Sequence, residues 1–312
     1  MNRLMYQPKV VIFLATYNGQ RFLDEQLDSI ASQTHKNIEL WASDDGSDDN
    51  TYSILKRHQA RLPPGRFIIQ HGPRKGFAAN FLSLICSKKA NGDYYAYCDQ
   101  DDVWEPDKLQ KGINWLNTIP CERLALYCSR TKLVDEHNNE IGYSECFKKP
   151  PGFLNALVQN IGSGNTMLFN HAAINCLREA GDNINVVAHD WWTYLLITGA
   201  GGDVFYDPSP SMRYRQHKDN VIGSNSGWRA RLLNIHALFK GRFRVSLNLN
   251  LQALQSIEHL LSEKNKFIFK QFDAARKSPS IFAMIKIKRL GIYRQTFLGS
   301  TALIAGTLFK KI

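Results

Sequence analysis

Five aspartates carry the clearest chemical signal in this chain. Asp44 and Asp45 close an apolar run that begins at Ile38, and Asp99, Asp101 and Asp102 follow the run Tyr94-Tyr95-Ala96-Tyr97-Cys98. Carboxylates gathered at the ends of buried strands repel one another, so a cation must compensate. A hard divalent ion, Mg or Mn, is the economical partner, because it binds one or two carboxylates and leaves positions for phosphate oxygens. Aspartate is also frequent in turns and at helix N-caps. That is the reading for Asp48, Asp49 and Asp107, whereas Asp99 and Asp101 are read as the metal site. Asp190 precedes the apolar helical run Trp191-Trp192 and is placed to cap it. Arg74-Lys75-Gly76 offers a point charge to phosphate or is an exposed basic turn. Gly162-Ser163-Gly164-Asn165 permits close backbone approach and is read as a turn on the acceptor side.

The elements that must hold these residues alternate. Residues 9–18 form a β-branched strand ending in Ala15-Thr16-Tyr17-Asn18-Gly19, and Phe22, Leu23, Leu27 and Ile30 then recur at helical spacing. Strands are expected over residues 38–45, 67–70 and 94–98, and helices over residues 48–60 and 77–89 and from Pro106. Units of this kind build a mainly parallel sheet with right-handed crossovers, and ligands of such sheets sit beyond the strand C-termini. Residues 124–215 are more mixed, with a hairpin around Asp135-Glu136-His137-Asn138-Asn139, a strand through residues 166–169 and a helix through residues 191–198. Leu247, Leu251, Leu254 and Leu261 mark a further amphipathic helix.

The net charge of +11 is unevenly spread. Of 39 Lys and Arg, 16 lie in residues 228–312, opposed only by Glu258, Glu263 and Asp273, while the rest of the chain, with 23 basic and 25 acidic residues, is nearly neutral. The break suggests a boundary near residues 223–227. Lys and Arg mixed with Phe, Ile and Leu suit either an interfacial helix on anionic lipid or helices docked on the rest with a basic face to solvent. The apolar stretch over residues 295–309 is shorter than the ~20 residues that cross a bilayer. Residues 9–14 follow a short polar lead unlike a secretory signal, so a cytosolic chain is expected. Cys86, Cys98, Cys121, Cys128, Cys146 and Cys176 show no metal-like spacing and are expected to be buried thiols.

Taken in order and spacing, Ala15-Thr16-Tyr17-Asn18, Gln33-Thr34, residues 44–51 (DDGSDDNT) and Asp99-Gln100-Asp101-Asp102 with Trp104 and Pro106 resemble family 2 glycosyltransferases of the GT-A fold. The resemblance covers about residues 8–220. His189-Asp190-Trp191-Trp192 and Tyr214-Arg215-Gln216-His217 resemble the branch that includes bacterial rhamnosyltransferases of surface polysaccharides. It implies an α/β catalytic domain over residues 1–223, its nucleotide-binding half about 8–120 and its acceptor half about 121–223, followed by a basic helical region over residues 224–312. It also implies that Tyr17 packs on a pyrimidine, flanked by Thr16 and Asn18, and that Asp45 accepts the ring N–H. Asp99 would contact the ribose, Gln100 would be the variable middle residue of the Asp-x-Asp pattern, and Asp101 would ligate the metal. Lys75 and Arg215 would approach the diphosphate, with His217 a further contact to metal or diphosphate. Asp190 matches the general base, and His189 ligates or packs. Ala15 departs from the small polar residue or proline of many relatives.

The implied activity is inverting, metal-dependent transfer from a nucleotide-sugar, dTDP-rhamnose first and a UDP-hexose second. The implied acceptor is a lipid-linked oligosaccharide at the inner face of the membrane, for O-antigen or capsule. Other classes fit less well. A nucleic-acid-binding module would rest on net charge alone, with the charge outside the sheet region and no recognition motif. A nucleotidyltransferase would share the aspartates, and a nicotinamide dehydrogenase lacks its glycine fingerprint here.

Overall fold

β1 (Val10–Thr16) is buried on both faces, Val10, Ile12 and Leu14 facing one apolar layer and Val11 and Phe13 the other. That is why an almost uninterrupted apolar run makes it the centre of a sheet. The structure, a computed structural model, describes residues 7–218 and 242–312. β1 pairs in parallel with β2 (Ile38–Asp44) and β4 (Tyr94–Cys98), and β2 with β3 (Phe67–His71). β6 (Ala125–Ser129), β9 (Leu168–Asn170) and β10 (Asp203–Asp207) complete seven strands in the order β10-β6-β9-β4-β1-β2-β3, in which β9 runs antiparallel to both neighbours. One face is covered by α1 (Leu23–Ala31), α2 (Thr51–Gln59) and α4 (Lys108–Leu116). The other is covered by α3 (Phe77–Cys86), α5 (Phe153–Ala156), α6 (His171–Ala180) and α7 (His189–Gly199). The expected parallel α/β sheet is therefore present, and register sets Thr16 of β1 opposite Asp44 of β2 at the ligand-binding edge.

A second, four-stranded sheet is not foreshadowed by the sequence. It joins β5 (Val103–Trp104), β11 (Met212–Arg215), β7 (Lys132–Val134) and β8 (Glu140–Tyr143), the last two forming the expected hairpin. The pairing of Met212 with Trp104 brings the segment after β11 back over the acidic run. Some boundaries also move. α4 starts at Lys108 instead of Pro106, and α7 at His189, so Ala188 and not Asp190 takes the cap position.

The C-terminal helices are α8 (Arg242–Ser256), α9 (Glu263–Lys277), α10 (Ser280–Arg289) and α11 (Phe297–Leu308). Leu247, Leu251 and Leu254 lie on α8 as expected, whereas Leu261 follows a short 3-10 turn. Their buried residues belong to the same apolar cluster as Trp192 and Leu195 of α7, so these helices dock on the sheet domain. The expected boundary at residues 223–227 lies outside the described residues. No described helix is long and apolar enough to cross a membrane. All six cysteines are free, but only Cys98 and Cys128 are fully buried, and Cys121 is exposed, contrary to expectation.

Candidate active site

The loop after β1 is fastened through its backbone. The amide N–H groups of Tyr17, Asn18, Gly19 and Gln20 donate to Gln100 Oε1 (2.9 Å), Ser47 Oγ (2.9 Å), Thr51 Oγ1 (2.8 Å) and Asp49 Oδ2 (3.1 Å). Gln100 also donates from Nε2 to the Tyr17 carbonyl at 2.9 Å, so its amide reads the Tyr17 backbone on both sides. A Cβ on Gly19 would stand 2.2 Å from Gln100 Oε1, which explains the glycine. Asn18 adopts a left-handed φ of 47°, which asparagine tolerates. Thr16 Oγ1 donates to Asp44 at 3.0 Å, and Asp44 is further occupied by Ser47. The outcome is a rigid loop from which the Tyr17 side chain projects, 59% exposed. Gln100 thus braces the loop.

Asp45 organises the loop after β3. Its two carboxylate oxygens accept the N–H groups of Arg74 (2.6 Å) and Gly76 (2.8 Å), on either side of Lys75. Lys75 is exposed there. Asp49 accepts the Thr51 N–H at 2.9 Å and so serves as the expected turn residue at the start of α2.

The acidic run divides its labour. Asp102, fully buried, accepts the Arg215 N–H at 3.0 Å and a hydrogen bond from Asn165 Nδ2. Burial pushes its pKa up, as do the charges of Asp101 and Asp99. Asp101 turns the other way, its Oδ2 2.8 Å from His217 Nε2. Burial, then the charges of Asp101 and Asp190, raise Asp99 to about 8. Asp190, far away in sequence, is therefore close enough to act electrostatically on Asp99. Asp190 accepts the Gly164 N–H at 3.2 Å and the Trp191 N–H at 2.6 Å, and burial outweighs these bonds to raise its pKa to about 6.

Arg215 departs from the expected diphosphate contact. Its side chain is 1% exposed and lies beneath the site, donating from Nε to the Asp101 carbonyl (3.0 Å), from NH1 to the Glu136 carbonyl (3.0 Å) and from NH2 to Glu25. It also stacks 4.6 Å over Phe22, which Arg21 and the His217 ring approach as well, at 4.8 and 5.0 Å. Arg215 supports the Asp101 backbone, and no side-chain pattern separates such a role from phosphate binding.

Asp101 and His217 are the pair that fits a metal. A hard divalent ion takes the rest of its shell from ligand oxygens and water, and the carboxylates crowding Asp99 supply the negative field for it. Among the described residues no group of three or more His, Cys, Asp or Glu side chains is placed to hold a metal ion.

His189 packs, stacked 3.8 Å from the Phe81 ring, with neither ring nitrogen hydrogen-bonded among the described residues. Burial holds its pKa down at about 3, so the imidazole is neutral. A Cβ on Gly164 would stand 2.3 Å from His189 Nε2, which ties the turn over residues 162–165 to the start of α7. Asn160, Glu25 and Phe22 are site-building residues that sequence patterns miss, since each acts through a partner distant in the chain, and Asn165, read only as part of the acceptor-side turn, binds Asp102.

The chain is 32% identical over 228 residues to the dTDP-rhamnosyl transferase RfbG of Shigella flexneri, covering 70% of this chain and 76% of that protein. Among solved structures, a mannosyltransferase of Pyrobaculum calidifontis in complex with GDP-Man and Mn2+ superposes with a TM-score of 0.53 at 19% identity, covering 98% of this chain and 86% of that one. TarS residues 1–349 of S. aureus, in complex with UDP-GlcNAc, gives a TM-score of 0.55 at 13% identity, covering 97% and 90%. At these identities the likeness is one of fold, the GT-A fold. Residues 11–176 match the family described as Glycosyl transferase family 2, and with that match, the relative and the fold in agreement, the chain belongs to glycosyltransferase family 2.

Proposed function

We propose that the chain transfers L-rhamnose from dTDP-rhamnose, with inversion, to a lipid-linked oligosaccharide in surface-polysaccharide (O-antigen or capsule) synthesis. The observation that carries the transfer chemistry is Asp190: a buried carboxylate raised to about 6, beside the Asp99–Asp101 edge, is ionised at neutral pH and basic enough to take a proton. The rhamnosyl donor rests on the similarity to RfbG, and a UDP-hexose is the alternative.

In this reading the exposed Tyr17 ring stacks on the pyrimidine. Asp45, pre-set by two backbone N–H groups, turns its remaining lone pairs to the ring N–H, and Asp99 meets the ribose. Lys75 supplies charge to the diphosphate. Gln100 and Arg215 are positioning residues, one for the Tyr17 backbone and one for the Asp101 backbone. Mg or Mn, held by Asp101 and His217 when bound, would neutralise charge on the departing diphosphate. Asp190 accepts the acceptor hydroxyl proton while that oxygen bonds to the anomeric carbon and the bond to diphosphate breaks. Residues 1–223 form the catalytic unit and residues 224–312 a helical region working peripherally at the inner membrane face. The exposure of Phe297, Leu298 and Phe309 beside basic residues supports that placement.

A thermal-shift panel of dTDP-rhamnose, UDP-hexoses and GDP-mannose with and without Mn or Mg tests the donor. Selective, metal-dependent stabilisation by dTDP-rhamnose is expected. Stabilisation by a UDP-hexose alone replaces the donor, and no stabilisation by any nucleotide-sugar removes the reading.

A further inference from the structure

A cavity of about 470 Å³ opens between α8, α9 and the residues that follow α11, apart from the candidate active site. Arg244, Arg276, Lys277 and Lys310 line it, against the single acidic residue Asp273. Lys277 Nζ lies 2.5 Å from Asp273 Oδ2, which balances one charge. Arg276 is nearly buried, its side chain 9% exposed; NH2 donates to Asn248 Oδ1 at 2.6 Å and NH1 lies 3.9 Å from Asp273. Its Nε–H has no acceptor among the described residues. Arg244 NH1 donates to the Lys310 carbonyl at 3.1 Å, and neither Arg244 nor Lys310 forms an ion pair among the described residues. A buried guanidinium with an orphan donor is costly unless an acceptor completes it. Here it shares a cavity whose lining side chains carry a three-charge formal excess of cations, of which the α-carboxylate of Ile312, also in the lining, offsets one.

We propose that this cavity binds a phosphate group. A phosphate presents several acceptor oxygens to guanidinium forks and answers the charge excess in one ligand. Two sources share that chemistry: a free phosphate and the headgroup of an anionic lipid. The cavity's flanks bear on the second, because Val245 and Phe309, neighbours of Arg244 and Lys310, are 61% and 63% exposed. The site is independent of the donor and base assignments.

The test uses the full chain, the double variant Arg244→Gln/Lys310→Gln, the variant Arg276→Gln, and Lys286→Gln/Lys288→Gln as a control of equal charge loss on α10. Melting is followed with inorganic phosphate against chloride at constant ionic strength. Sedimentation is followed with phosphatidylcholine vesicles alone, with phosphatidic acid, or with oleate at matched surface charge. Stabilisation by phosphate, or binding to phosphatidic acid vesicles above oleate vesicles, is expected, and the arm that responds names the source. The Arg244/Lys310 variant is expected to weaken that binding about tenfold, with the Lys286/Lys288 control unchanged. Both these variants alter exposed side chains, so the comparison holds even if Arg276→Gln fails to fold. No response in either arm, equal binding to oleate vesicles, or equal loss in the control overturns the proposal.

Discussion

Replacing Asp190 with Asn separates its chemistry from its cost to the fold. Asp190 is raised from 3.8 to about 6 by burial, about two units, and at 1.36 kcal/mol per unit holding it ionised costs the fold about 3 kcal/mol. Because the folded pKa exceeds the unfolded one, the folded state binds the extra proton between these values. The penalty is nearly absent at pH 4, grows through about 6 and is complete at pH 8. Asn cannot ionise but offers one acceptor where the carboxylate receives the Gly164 and Trp191 N–H groups and the Asn160 side chain, so about 1 kcal/mol is lost in return. Asp190→Asn is therefore expected to be about 2 kcal/mol more stable than the parent at pH 8 and no more stable at pH 4, by urea denaturation without ligand. Turnover is expected to fall by about 10²–10⁴-fold while donor affinity is kept, and the parent's kcat/KM, which follows the free enzyme, should decline below about pH 6 as Asp190 protonates. An Asn variant that turns over near the parent rate with donor bound refutes the base assignment. One that is less stable at pH 8 refutes the burial argument.

Gly19→Ala would drive a Cβ to within 2.2 Å of Gln100 Oε1, so the clamp on the Tyr17 backbone must open; donor KM is expected to rise about tenfold with a smaller change in kcat, read by steady-state kinetics. Asp102→Ala leaves the Arg215 N–H and Asn165 Nδ2 without their acceptor, and should destabilise the chain by about 2–4 kcal/mol in urea at pH 4, where the cost of holding this buried carboxylate ionised, its pKa being raised, is nearly absent, whereas a purely metal-ligating Asp102 would leave stability unchanged there. Chelator treatment is expected to abolish donor-induced stabilisation, and Asp101→Asn to make that loss irreversible by added Mn; an Asp101→Asn protein that keeps its Mn response would remove Asp101 as ligand.

What the sequence makes legible is what local pattern encodes. The apolar runs of β1, β2 and β4 need burial on both faces, which requires a parallel sheet with helices on each side, and the aspartates beyond those strands fall on its ligand edge. The second sheet is hidden because its pieces are short: β5 is the two residues Val103–Trp104, too few to show any period. Residue pattern alone does not bring Asp101 to His217, 116 residues away; only the family resemblance set both at one site. Arg215 misleads for a related reason. Its residue type suits phosphate, but its acceptors Glu25 and Glu136 come from distant segments and only the fold brings them beneath the acidic run. Gln100 serves the backbone of Tyr17, a role that leaves no mark on neighbouring side chains.

The basic C-terminal helices bear on the proposed base through their packing against α7. Asp190 sits in the first turn of α7, so its position depends on how that helix is held. At the far end Asn265 Nδ2 donates to the Thr198 and Gly199 carbonyls (2.9 and 3.1 Å) and the Ser262 N–H to the Gly199 carbonyl (3.0 Å), filling acceptors that a helix C-terminus leaves open. Gly199 has no Cβ because Leu261 and Phe153 occupy that space. Just ahead of α7, the Val187 N–H donates to Asn250 of α8 at 3.3 Å. Leu247, Leu254, Phe272 and Ile287 are wholly buried in the core that α7 shares, each contributing about 1.5–3 kcal/mol by area. Deleting these helices would uncover that core and free both ends of the helix that carries the proposed base. A truncated chain would thus lose activity for reasons unrelated to membranes, and the membrane role of this region is accessible only through surface substitutions that leave its inner face intact.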